Sequence, residues 1–281
     1  MDGLALLRLQ IEWGADEAIL DEPLRRLRPA SAITQPPRSA TTQPPRPAAP
    51  PVLASVPPSD APRQHRPAIA SGPAGIAAEI ARIAAAATDI AALHAAIRDC
   101  RLCALSETAT NPVLSAGPAG ADVMIIGDPP GADEDRGGEV FSGAAGQTLN
   151  RILLTLGLDR AALLLAPLIP WRPPGNRPPT DAEMAQCLPF LHRLILLAAP
   201  RHIMLLGAQA ARALLPAGGS VTLRRVRGRW AELSLPDPAF PDRGQPIAAL
   251  PTYHPATLRT ANERREAWSD WRMLHRTINH K

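Results

Sequence analysis

Residues 4–27 show helical periodicity: Leu6, Leu9, Ile11 and Trp13 are candidates for an apolar face, and Gly14 interrupts it. The pattern predicts either a small docking helix pair or a marginal amphipathic segment at a terminus. Residues 28–73 lose the periodicity. Pro, Ala, Ser, Thr, Gln and Arg dominate there, and PPR recurs at 36–38 and 44–46. Such a stretch cannot bury enough apolar area to offset its ordering entropy, so a disordered, partly polyproline II linker is predicted. Residues 74–99 return to strong helix formers, mainly Ala and Ile, and run into Cys100.

Beyond Cys100 the pattern alternates. Strand-like apolar runs occur at 122–127, 162–170, 202–207 and 246–253, and helical stretches fill 144–157, 180–199, 208–215 and 262–278. Strands alternating with helices predict a mainly parallel sheet covered on both faces, a three-layer α/β/α sandwich. Thr180-Asp-Ala-Glu183 has the form of a capping box, so the helix carrying Cys187 is expected to begin there. The chain divides into a helical segment (1–27), a linker (28–73) and one α/β domain (74–281).

The domain is organised around VMIIGDPPGADEDRGGEVFSGAAGQTLN at 123–150. A β-branched run stops at Gly127, four acids follow (Asp128, Asp133, Glu134, Asp135), and Phe141 precedes a helix. In open α/β sheets ligands bind on loops at the carboxyl ends of strands, and this loop is expected to floor an active site.

Composition adds two points. The net charge of +4 and pI of about 9.6 are compatible with a polyanionic partner. Three cysteines, two of them in Cys100-x-x-Cys103, do not form a secreted disulfide framework. The pair supports a metal centre or a redox couple, and with Cys187 it is one thiolate short of a closed site. With no signal-like N-terminus and no membrane-length apolar run, a soluble cytoplasmic protein is expected.

Three further stretches can carry chemistry. Arg172-Pro-Pro-Gly-Asn-Arg177 is a rigid basic turn after a strand-like run, either a plain turn or a contact for phosphates or bases. Leu223 to Trp230, with Arg224, Arg225, Arg227 and Arg229, reads as a solvated charged strand or a phosphate-contacting hairpin. His254, at the end of another strand-like run and followed by Pro255, is either a structural histidine or, at a strand terminus shared with the acidic loop, a functional one.

In this order and spacing the pieces resemble the family 4 uracil-DNA glycosylases, the iron–sulfur branch of their superfamily, and in particular bacterial members with an N-terminal extension. The matching motifs are Cys100-x-x-Cys103, the 123–150 loop, RPPGNR at 172–177, Cys187, LRRVRGRW at 223–230 and His254-Pro-Ala, together covering about 98–275. The resemblance implies a four-stranded parallel sheet between helices and hydrolysis of the N-glycosidic bond of uracil, or another deaminated base, in DNA. It implies DNA as partner, no membrane association and a monomer. It assigns Asp128 and Glu134 to water and the sugar cation, His254 to the leaving base, and Phe141 and Asn176 to holding that base. Leu258 is the residue expected to wedge into the vacated stack. Arg224, Arg225, Arg227, Arg229 and Arg259 are expected on phosphates, and Cys100, Cys103 and Cys187 on a 4Fe–4S cluster.

The chain departs from the family at three positions. Asp128 stands where Glu is common, one methylene shorter. Pro167 replaces the Asn that reads the uracil edge. Trp171 replaces the cluster's third cysteine, which leaves three thiolates and, as outcomes, a cluster with a non-cysteine ligand, a three-iron cluster or none. The first two departures also fit a catalytically impaired member that binds DNA or a partner.

Overall fold

The computed structural model describes residues 72–216, 222–233, 235 and 246–279. The expected N-terminal segment, and the expected linker up to residue 71, lie outside the described residues.

Two helices open the described chain, α1 (Pro73–Ala86) and α2 (Ile90–Asp99). The stretch 74–99, rich in helix formers, is thus helical in two pieces. The break falls at Asp89, whose carboxylate accepts the Ala92 N–H at 2.7 Å and caps α2. Asp forms this bond only from outside a helix, so Ala-rich propensity yields to it. The short α3 (Leu105–Thr108) follows the Cys-x-x-Cys turn. The α/β core then runs β1 (Val123–Gly127), α4 (Ala132–Gly137), α5 (Gly143–Leu156), β2 (Leu164–Pro167), α6 (Asp181–Ala198), β3 (His202–Leu206) and α7 (Ala208–Leu214). It ends with α8 (Leu223–Val226), β4 (Ala231–Leu233), β5 (Ile247–Thr252) and α9 (Ala261–Asn279). Helix α6 begins at the expected capping box: Thr180 N–H donates to Glu183 Oε2 at 2.8 Å, and Glu183 N–H to Thr180 Oγ1 at 3.2 Å.

The sheet has five strands in the order β2-β1-β3-β5-β4. The expected four are parallel, and β4 adds an antiparallel edge to β5. The stretch read as a charged strand or hairpin is instead a helical turn, α8, leading into β4.

Strand β1 is buried on both faces, as a central parallel strand must be. Met124 and Ile126 pack with Ile80, Leu93 and Leu194 of α1, α2 and α6. Val123 and Ile125 pack with Leu149 and Ile152 of α5 and with Trp271 and Leu274 of α9. These two cores are the seams of the three-layer sandwich. Because β1, β3 and β5 run the same way in adjacent registers, the residues that follow them, Asp128, Gly207 and Tyr253-His254, emerge along one edge.

Candidate active site

The loop after β1 and the turn after β5 meet over Gly127. The Phe141 and His254 rings are stacked, with centroids 5.9 Å apart and planes 23° from parallel. A Cβ on Gly127 would lie 2.7 Å from Phe141 Cζ and 3.5 Å from His254 Nε2. Only glycine permits this approach. Phe141 adopts φ +52°, a left-handed conformation uncommon for a large side chain. Such strain persists where surrounding structure fixes it. Here Glu134 does so: its Oε1 accepts the Phe141 N–H at 2.7 Å, and its Oε2 accepts the Gly131 N–H at 2.8 Å. The acidic segment thus contains a short helix, α4, stapled by its own third residue. Burial raises the Glu134 carboxyl above the ordinary range, against the opposing pull of those two amides.

Asp128 turns toward the start of α7. Its Oδ1 accepts N–H groups from Gln209 at 3.0 Å and Ala210 at 2.9 Å. Gly207 makes room, since a Cβ there would fall 2.2 Å from Asp128 Oδ2. Burial pushes the Asp128 carboxyl up to about 6, opposed by the same two amides. His254 moves the other way. Burial lowers its imidazole to about 4, so the ring is neutral at physiological pH. Its Nδ1 accepts the Ala256 N–H at 3.3 Å. In the neutral ring the proton therefore belongs on Nε2, the atom that faces Gly127. The site combines an aromatic platform, a neutral imidazole donor and two carboxyls of raised pKa at the carboxyl edge of the sheet.

These residues all fall within 114–274, the span matched by the family model for the uracil DNA glycosylase superfamily. The chain belongs to that superfamily. It is 36% identical over 172 residues to the type-4 uracil-DNA glycosylase of Pyrobaculum aerophilum, an alignment covering 60% of this chain and 84% of that protein. It is 33% identical over 181 residues to the enzyme of the same name from Archaeoglobus fulgidus (63% and 87% covered). Against that of Thermotoga maritima it is 32% identical over 162 residues (58% and 79%).

Around this candidate site the other sequence-predicted residues divide. Asn176 is exposed on a single 3-10 turn, Pro174–Asn176, and its Oδ1 accepts from Arg172 Nε at 2.6 Å. Arg172 in turn lies 3.7 Å from Asp135, a buried carboxylate that also accepts from Thr110 N and Oγ1. The RPPGNR turn is thereby tied to α4 through Asp135, which sequence reasoning counted among the loop acids without giving it a role. Arg224, Arg225 and Arg229 are exposed on and after α8. Arg227 is not available to a phosphate. It turns inward, donating to Asp270 Oδ1 at 2.6 Å and Oδ2 at 3.1 Å, and its Nη1 lies 3.7 Å from Glu266. Asp270 also accepts from Thr252 Oγ1 at 2.6 Å, directly below Tyr253 and His254. Leu258 is half-buried and Arg259 exposed, on the turn after His254.

Pro167 ends β2 in register with Gly127. At that place beside the site there is no side-chain hydrogen bond to offer. Sequence reasoning missed the backbone donors Gln209 and Ala210. The G-A-Q-A run after an apolar strand marks a helix start, but only the sheet order brings it to Asp128.

Two of the three cysteines meet in the core, and Cys100 lies in the same apolar cluster. Cys103 and Cys187 are fully buried, Cys100 is 4% exposed, and Cys103 Sγ lies 3.9 Å from Cys187 Sγ. A four-thiolate cluster does not fit this donor set. Trp171 occupies the same apolar core at 2% exposure, and its indole carries a donor N–H with no lone pair for iron. Among the described residues no set of three or more His, Cys, Asp or Glu side chains is arranged to hold a metal ion.

Proposed function

We propose that the protein hydrolyses the N-glycosidic bond of uracil in DNA, leaving an abasic site. The observation that carries this reading is the meeting of Phe141 and the neutral His254 Nε2 over Gly127, with Asp128 next in the chain. The names of the type-4 relatives support the same substrate.

A glycosylase must take the base out of the stack into a pocket. Phe141, held at its strained backbone by Glu134, offers the face on which a flipped ring stacks. As the bond to the sugar breaks, positive charge gathers on the sugar and negative charge on the base. The neutral His254 donates from Nε2 to the developing base anion, a donor already in place before charge appears. The Asp128 carboxylate, charged above about pH 6, lies on the opposite account of charge: it favours the sugar cation and the water that attacks it. The cluster that the resemblance implies supplies no step here. The exposed Arg224, Arg225, Arg229 and Arg259 suit DNA phosphates. On this reading the protein acts as a monomer in the cytoplasm, alongside the DNA. Among the described residues no helix is long and apolar enough to cross a membrane.

Pro167 favours one refinement, a relaxed choice of base. A site that hydrogen-bonds its substrate rejects analogues by leaving its own polar groups unpaired, and proline cannot do this. The test is incubation with duplex and single-stranded oligonucleotides containing uracil, hypoxanthine or xanthine, followed by alkali. Alkali-labile sites at uracil are expected, with weaker cutting at the other bases. In Pro167→Asn the ratio of uracil to non-uracil cutting should rise on the order of tenfold or more. No release of any base would overturn the enzyme reading.

A further inference from the structure

We propose that the three-cysteine region of this chain is a cluster-free apolar core, held together by the Trp171 indole where its relatives' branch would place a ligand. The inference goes beyond the glycosylase reading and does not depend on it, because it concerns the α1–α2–α6 side of the fold and is read without catalysis.

Three observations converge. The first is the donor count. The four-cysteine set that ordinarily holds a four-iron cluster is one short here, since the sequence has three cysteines, and among the described residues no His, Asp or Glu joins them as a further ligand. The second is space. In a four-iron cluster each thiolate binds a different iron, so the inorganic core stands between the sulfurs. Here Cys103 Sγ and Cys187 Sγ are 3.9 Å apart, in contact with each other and too close for thiolates on two different irons of such a core. The third is Trp171. It is 2% exposed and meets the Phe190 ring edge-on, with centroids 6.0 Å apart and an interplanar angle of 77°. That is a favourable aromatic geometry. Phe190 and Cys187 lie one turn apart on α6, so the indole packs on the same helix that carries the third thiol. A substitution that merely deleted a ligand would leave a void and a buried unsatisfied site. A large ring that fills the space and finds an aromatic partner replaces the cross-link by packing.

The test uses the full chain purified without air and treated with ferrous iron and sulfide, then desalted. Bound iron, acid-labile sulfide, visible absorption and melting temperature are measured before and after a chelator. The wild-type chain is expected to stay colourless, to hold no iron or sulfide, and to melt at the same temperature in both conditions. Retention of iron and sulfide in defined ratio, with a melting temperature that falls on chelation, would overturn the proposal. Trp171→Cys restores a fourth thiol and is expected to take up iron and sulfide and turn brown. If it folds yet stays colourless, the exclusion does not lie in Trp171 and the proposal fails in that part. Trp171→Phe keeps an apolar ring without adding a ligand and should melt close to wild type, whereas Trp171→Ala should lose several degrees. Equal melting of Trp171→Ala and wild type would contradict the packing role, even if the cysteine variant does not fold.

Discussion

Asp128 is held by two amide donors and still titrates near 6, because burial outweighs them. Its side chain reaches the start of α7, so on the proposed reading its contribution to chemistry is its charge. The sign is set by the direction of the shift. Above about pH 6 the group is a carboxylate and favours the sugar cation; as pH falls below 6 it is neutralised. His254 adds no limb in this range, since it remains neutral down to about 4. The rate of uracil release under kcat/KM conditions is therefore expected to fall below pH 6, by about tenfold per unit for a single essential ionisation. Asp128→Asn keeps an acceptor for the Gln209 and Ala210 amides and so should preserve the fold. It should lower the plateau and flatten the limb. An unchanged limb near 6 in that variant would move the titration to Glu134, whose carboxyl is also raised by burial.

At the scale of elements, α8 and α9 divide the basic stretch into two kinds of arginine. Arg227 is 16% exposed and pairs with an Asp270 side chain that is 2% exposed, while Arg224, Arg225 and Arg229 face solvent. Removing one partner of a buried pair leaves the other charge uncompensated, at about 3 kcal/mol or more. Arg227→Ala is thus expected to lower the melting temperature by roughly 6–12 °C for a domain of this size. Arg224→Ala should leave melting unchanged and instead reduce the slope of log K for DNA against log salt, by about 0.9 for one lost phosphate contact. Thermal melts and DNA binding at several salt concentrations separate the two. Equal behaviour of the two variants in both assays would refute the division. This division was not legible in the sequence, where the four arginines look alike within six residues. Asp270 lies 43 residues downstream of Arg227, and only the packing of α9 on β5 brings it close. The same holds for the amides of Gln209 and Ala210, which reach Asp128 because β3 pairs with β1. What local pattern did show was the set of parallel strands, the capping box at Thr180, and the strand-end positions of Asp128 and His254. Those follow from periodicity and chain direction. The helix break at Asp89 does not show in local pattern, because Ala-rich propensity masks a cap set by a single side chain. The fifth strand was missed because three residues with one partner carry too little pattern.

At the scale of the whole molecule, the basic residues are almost entirely of one kind. Of 30 lysine-plus-arginine positions, all but Lys281 are arginine. Arginine suits phosphate contacts, because its planar fork matches phosphate geometry and stays charged at every working pH. It also limits what the chain can do after the base has left. Covalent attack on the sugar aldehyde of an abasic site needs an amine that can lose its proton and form a Schiff base. Arginine does not, and no lysine lies anywhere in the span from Gly127 to His254. The site carries carboxyls, an imidazole and a phenyl ring instead. On the proposed reading water is then the nucleophile, and the product strand is expected to stay continuous until a separate strand-cleaving reaction acts on it. With uracil-containing DNA, borohydride is expected to trap no protein–DNA adduct, and strand breaks should appear only after hot alkali. A trapped adduct, or breaks formed without alkali, would show a nucleophile that the arrangement of Asp128, Glu134, Phe141 and His254 does not supply.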